Sequence, residues 1–177
     1  MIRLFAGLPL PAEVAGRLCG LGGGIPGARW VEARNLHITL RFIGEVEEGL
    51  ARELHDELAE LRSPAFDLSL TGFGTFGRSS PNHLWAAVDK VPDLLHLQAK
   101  VDSAITRAGL PPEGRKYTPH VTLARIKGPP VSRVQDFITH NSPFQAGPWR
   151  VDHFVLFRSH LGRSGAEYEA LAEYALD

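Results

Sequence analysis

The spacing of apolar residues changes period repeatedly along the chain, and each change marks an element. Met1 to Leu8 is nearly continuous in apolar residues and stops at Pro9 and Pro11, the pattern of a buried strand. Pro11 suits a helix start, and Val14 and Leu18 then supply a short apolar stripe. After an irregular glycine-rich connector over 20–27, Trp30-Val31 and Leu36 to Ile43 read as strands, the second halted by Gly44. Leu50, Leu54, Leu58 and Leu61 recur at helical spacing and predict an amphipathic helix over 47–62, with Glu47 and Glu48 at its electropositive end. The other side of this helix is acidic (Glu53, Asp56, Glu57, Glu60) and is expected to face away from any polyanion.

Strict alternation returns at Phe66, Leu68 and Leu70, and a further strand runs from His83 to Asp89. Leu94, Leu97, Val101, Ile105 and Ala108 predict a second long helix, ended by Gly109. A basic loop with Gly114-Arg115-Lys116 leads to a strand over 119–125 and the breaker Gly128-Pro129-Pro130. Ser132-Arg133-Val134-Gln135 has the form of a capping box opening a short helix to His140. Val151 to Phe157 is a strand, whereas Tyr168, Leu171, Ala172 and Ala175 keep a helical period, so the tail is open between helix and strand. Counting the tail as a strand, the order is β-α-β-β-α-β-β-α-β-α-β-β. With no long linker, that order predicts one α+β domain over residues 1–177, built as two lobes.

One stretch invites a misreading. Gly72-Phe73-Gly74-Thr75-Phe76-Gly77 spells G-x-G-x-x-G, but a dinucleotide fingerprint must open a helix, and here Arg78-Ser79-Ser80-Pro81 and another strand follow. It reads as a turn. A hydrophobic fraction of 44% with 22% charged residues is ordinary for a globular chain. A net charge of −1 argues against coating long nucleic acid through a global basic field, yet leaves room for a phosphate held by local charge. Cys19 is the single cysteine, which excludes an intrachain disulfide and a thiolate zinc cage; it is expected as a small core residue of the first helix. Pro9, Pro11 and Glu13 interrupt any secretory core, and no apolar run approaches the roughly 18 residues of a membrane span. A cytoplasmic protein without membrane contact is expected.

The chemistry lies in a repeat. His37-Ile38-Thr39-Leu40 recurs as His120-Val121-Thr122-Leu123, each copy on a predicted strand. Side chains alternate along a strand, so each copy sets an imidazole beside a hydroxyl on one face, about 7 Å apart. Two such strands facing one cleft would supply an acid and a base near pH 7, because the unperturbed imidazole pKa is about 6.5. The hydroxyls of Thr39 and Thr122 would donate to non-bridging phosphate oxygens. Arg34 and Arg41 flank the first copy; Arg115, Lys116, Arg125 and Lys127 flank the second. Strand parity places Arg41 in phase with His37, and Arg125 out of phase with His120 unless the strand bulges. His55 and His96 fall on the long helices, and His83, His140, His153 and His160 have no repeated partner. No metal is expected, since no His-x-x-x-His or His-Glu-x-x-His spacing occurs.

These motifs, with Arg3-Leu4-Phe5, Arg29-Trp30-Val31, Asn35-Leu36 before the first His, Tyr117-Thr118-Pro119 before the second, Ser159-His160-Leu161 and Tyr168-Glu169, resemble the two-histidine phosphoesterases over essentially the whole chain. The resemblance is greatest to the RNA 2′,3′-cyclic phosphodiesterases, once described as 2′-5′ RNA ligases. It implies a bilobal fold of two antiparallel-rich sheets with pseudo-twofold symmetry, helices packed outside and the cleft between lobes. It also implies a strand in the tail. The implied reaction is metal-independent and cofactor-free opening of a terminal 2′,3′-cyclic phosphate on RNA, or of a small cyclic nucleotide, to a 2′-phosphate, by a chain expected to be a monomer. By the same resemblance His37 donates a proton, His120 accepts one, Thr39 and Thr122 hold the phosphate and Arg125 assists. The reverse reaction, joining RNA ends through a 2′-5′ bond, would use the same histidines. Two other readings stay open: a non-catalytic module gripping RNA ends, and strands whose His and Thr serve only cross-strand bonding.

Overall fold

The architecture follows from which strands the apolar faces bring together. In the computed structural model, residues 1–77, 80–128 and 130–177 are described. Part of the predicted breaker (Pro129) and the Arg78-Ser79 link fall outside them. The elements are β1 (Ile2–Pro9), α1 (Ala12–Cys19), β2 (Ala28–Trp30), β3 (His37–Val46), α2 (Glu48–Ala59), β4 (Phe66–Phe76), β5 (His83–Val88), α3 (Pro92–Arg107), β6 (His120–Ile126), α4 (Val131–His140), β7 (Gln145–Val151), β8 (His153–Gly162) and β9 (Gly165–Ala175). The strands form one curled antiparallel sheet in the order β7-β4-β5-β6-β3-β1-β8-β9, with β2 beside β6. Four strands of that path lie on each side of the β6–β3 junction, and β2 makes the ninth. The halves meet where β3 pairs with β6 at Ile38 opposite Val121.

One face of the sheet is covered by helices. Ile38 and Val121 are fully buried on it, together with Leu54 and Leu58 of α2 and Leu94, Leu97 and Val101 of α3. Each such leucine contributes about 1.5–3 kcal/mol by leaving water. Elsewhere in the core α1 buries Val14, Ala15 and Leu18, and α4 buries Val134 and Phe137. The predicted acidic side of α2 is exposed at Glu53, Asp56 and Glu60. No helix among the described residues is long and apolar enough to cross a membrane.

The tail, left open between helix and strand, is strand β9, as the resemblance implies; it pairs with β8 from His153–Ala175 to Gly162–Gly165, and the ladder overrides the helical period of its apolar residues. Four expectations are corrected. A strand is gained at β7, which docks on the edge of β4 although Gly147 and Pro148 interrupt its pattern. The G-x-G-x-x-G stretch is no turn: β4 continues through it to Phe76, with a register shift between Leu70 and Phe73 where Gly72 takes a positive φ of 77°. A Cβ at Gly74 would run into the Trp85 ring. The capping box does not form, because α4 begins at Val131, ahead of Ser132, and has no side-chain cap. Cys19 ends α1 exposed rather than in the core.

Candidate active site

The two motif strands are adjacent, antiparallel and in matching phase. With Ile38 opposite Val121, continuing the register one residue each way sets His37 across from Thr122 and Thr39 across from His120. All four side chains leave the face opposite Ile38 and Val121, and burial along His37-Ile38-Thr39 and His120-Val121-Thr122 runs half-buried, buried, half-buried in both copies. The two imidazoles are diagonal neighbours across this pair, a separation of about 7–8 Å between residues.

Each ring is oriented in the same way. His37 Nδ1 donates to the carbonyl of Asn35 at 2.8 Å, and His120 Nδ1 donates to the carbonyl of Thr118 at 2.7 Å. A carbonyl only accepts, so both neutral rings carry the proton on Nδ1 and present Nε2 to the cleft. In the neutral ring, His37 Nε2 accepts from the Thr39 hydroxyl at 2.9 Å. Aromatic side chains wall both rings. Phe5 and Tyr168 lie 4.8 and 5.2 Å from His37, and Phe76 and Trp85 lie 4.9 and 5.9 Å from His120, centroid to centroid. Tyr117, ahead of the second motif, donates its hydroxyl to the Thr39 carbonyl at 2.9 Å and ties the two copies together; burial raises its pKa.

The structure reverses the parity expectation for Arg41 and meets the exception stated for Arg125, through one device used twice. On β3, Gly7 pairs with Thr39 but Ala6 pairs with Arg41; on β6, Trp85 pairs with Thr122 but Leu84 pairs with Ala124. Each motif strand thus holds one extra residue, a β-bulge, directly after its threonine. The bulge turns Arg41 onto the helix side. There it is 7% exposed, pairs with Asp102 of α3 at 2.9 Å and donates to the carbonyls of Phe42 and Pro111. The same bulge returns Arg125 to the His120 face, exposed to the cleft. Arg34 and Arg115 pair with neighbouring carboxylates at the surface, and Lys116 and Lys127 are exposed.

His83, set aside for lack of a repeated partner, lies opposite Arg125 across β5 and β6. Its pKa is lowered by burial first, then by Arg125 and His120. That of His37 is also lowered, chiefly by burial and to a lesser degree by His120, against the opposing pull of the Asn35 carbonyl. Below the ordinary imidazole value of 6.5 an unfolded ring takes up a proton that the folded ring resists. Stability contributed by the neutral ring is therefore complete above 6.5 and is lost as the pH falls through the lower folded-state value. The melting temperature is expected to drop between about pH 7 and pH 5, and to drop less in His37→Asn. Equal acid sensitivity in the variant would show that the ring is not held neutral.

A curled antiparallel sheet with two His-x-Thr strands joined at its centre has the fold of the two-histidine phosphoesterases. The chain belongs to the 2′-5′ RNA ligase superfamily, whose sequence profile matches residues 25–163. It is 37% identical over 153 residues to the RNA 2′,3′-cyclic phosphodiesterase of Aeropyrum pernix, an overlap covering 85% of this chain and 86% of that one. It is 30% identical to the RNA 2′,3′-cyclic phosphodiesterase of Bacillus subtilis, over 97% of this chain and 95% of the relative. The crystal structure of Escherichia coli LigT complexed with 3′-AMP superposes with a TM-score of 0.78 at 28% identity, covering 99% of this chain and 98% of that one.

Proposed function

We propose that this chain hydrolyses the 2′,3′-cyclic phosphate end of RNA to a 2′-phosphate, with His37 as proton donor and His120 as proton acceptor. One observation supports placing the reaction at these two residues: two Nε2 edges, each fixed by an Nδ1–H bond to the carbonyl two residues earlier, lie on one side of the sheet on strands that meet at its centre. The two rings are held alike, so which one donates and which accepts follows the family resemblance. The reading of the reaction draws on the names of the relatives.

In-line displacement needs a base beside the entering water and an acid beside the departing oxygen. Water gives its proton to His120 Nε2 as its oxygen bonds to phosphorus; the bond from phosphorus to O3′ breaks, and O3′ takes the proton from His37. The phosphate stays on the 2′-oxygen. Burial lowers the pKa of His37, and the negative charge of a bound diester opposes that shift and favours the protonated ring that the acid role requires. On binding, the Thr39 hydroxyl turns from His37 to a non-bridging oxygen, Thr122 donates from the opposite strand, and Arg125 adds charge. Bonds to a charged acceptor contribute about 1.5–3 kcal/mol each. No step needs a metal, and no group of three His, Cys, Asp or Glu able to hold one occurs among the described residues. The same proton transfers run backwards would join a cyclic phosphate to a ribose hydroxyl through a 2′-5′ bond.

The test is to offer an oligoribonucleotide ending in a 2′,3′-cyclic phosphate and identify the product. A 2′-phosphate, formed at the same rate with and without EDTA, is expected. A 3′-phosphate would reverse the assigned leaving oxygen, and loss of the rate in chelator would replace this mechanism by metal chemistry.

A further inference from the structure

The two halves of the cleft share a backbone but differ in charge. Pairing Gly7 with Thr39 on one side corresponds to pairing Trp85 with Thr122 on the other, so Phe5 and Phe42 occupy the places of His83 and Arg125. The His37 half is therefore aromatic where the His120 half is basic. The basic row extends one strand further, because Arg29 of β2 is the direct partner of Arg125 on the other edge of β6. Residues directly opposite in antiparallel strands project to the same side, so Arg29, Arg125 and His83 form one row about 10 Å wide across three strands.

Among the described residues no carboxylate pairs with this row. Arg34, Arg107, Arg115 and Arg150 each have a carboxylate within 4 Å, whereas among the described residues neither Arg29 nor Arg125 has one. The charges that act on His83 are those of Arg125 and His120; β4 presents only Phe76 to it, and its Nδ1 lies 2.7 Å from Asn82 Oδ1. The row sits about 7 Å along β6 from Thr122, three residues of which the bulge absorbs one. That is a span of the order of one nucleotide from the place proposed for the reacting phosphate.

We propose that Arg29, Arg125 and His83 form a second phosphate subsite, which takes the phosphate on the 5′ side of the terminal nucleotide and so selects RNA ends over cyclic nucleosides. The inference rests on the function proposed above for the neighbouring centre. Arg125, with five donors in its fork, stands at the boundary and serves both phosphates; Arg29 and His83 serve only the second.

The test is calorimetric titration at low salt with adenosine 3′,5′-bisphosphate and with adenosine 3′-monophosphate. The wild-type chain is expected to bind the bisphosphate about tenfold more tightly, with a salt slope steeper by about 0.7 in log units for the extra phosphate. Arg29→Gln and His83→Gln should each lower that ratio, and the double variant should bring it to about one while leaving monophosphate affinity within about twofold. A wild-type ratio near one, failure to bind either nucleotide, or a ratio that survives in the double variant overturns the subsite. Turnover of the cyclic-phosphate oligonucleotide is measured on the same samples. Lost turnover with the ratio intact sinks the proposed reaction alone, and equal affinities with turnover intact sink the subsite alone.

Discussion

His37→Ala and His120→Ala are each expected to lower turnover of a cyclic-phosphate RNA end by at least about 10²-fold, within the 10²–10⁴-fold range typical of a positioned acid or base. The double variant should lose little beyond the worse single one, because acid and base act on the same transition state and removing either leaves the other without its task. The two singles should also differ in pH dependence. Wild-type kcat/KM is bell-shaped if one neutral and one protonated imidazole are required, and each variant should lose one limb. Steady-state rates across pH 5 to about 9 check this. Full activity in either single variant would remove that histidine from the reaction.

Asp102→Ala is expected to cost about 3 kcal/mol of stability although it lies away from the cleft. Arg41 is 7% exposed beneath the bulge, and Asp102, with its side chain 23% exposed, is its only carboxylate partner among the described residues. Removing one member of a buried pair leaves the other as an uncompensated charge, which costs about 3–5 kcal/mol; the partial exposure of Asp102 sets the lower end of that range. For a chain of this size the melting temperature should fall by roughly 6–12 °C. Arg41→Met, which removes the buried charge together with its need for a partner, should cost less than Asp102→Ala, as thermal unfolding of both variants would reveal. Equal losses would mean that the pair acts through packing alone.

Much of the site was legible because it is local. A His and a Thr two apart on a strand share a face whatever surrounds them, and the repeat of that unit pointed to a shared centre. The long helices were legible for the same reason, since α2 buries Leu54 and Leu58 and α3 buries Leu94, Leu97, Val101 and Ile105 of the residues that their period marked. The bulges were harder. Leu123-Ala124 sets two apolar residues in succession between Thr122 and Arg125, and Ile126 follows, which is the pattern of a strand that gains a residue and restores Arg125 to the polar face. The first copy hides the same signal, because its second buried residue is Arg41, whose charge argues for the opposite face until Asp102 is seen beneath it. His83 left no local mark. It enters the cleft only because β5 lies beside β6 in a register that sets it against Arg125.

The chain's own order of residues determined the duplicated His-x-Thr units, the helices and the alternation of most strands, because these depend on periods of two and 3.6 that neighbours along the chain impose. Tertiary structure alone decided that the two units are adjacent, that Arg41 supports the fold while Arg125 faces the cleft, and that the tail is strand rather than helix. Those outcomes depend on hydrogen-bond ladders between strands far apart in sequence. An unpaired edge is costly enough to override local period, and one inserted residue redirects every side chain beyond it.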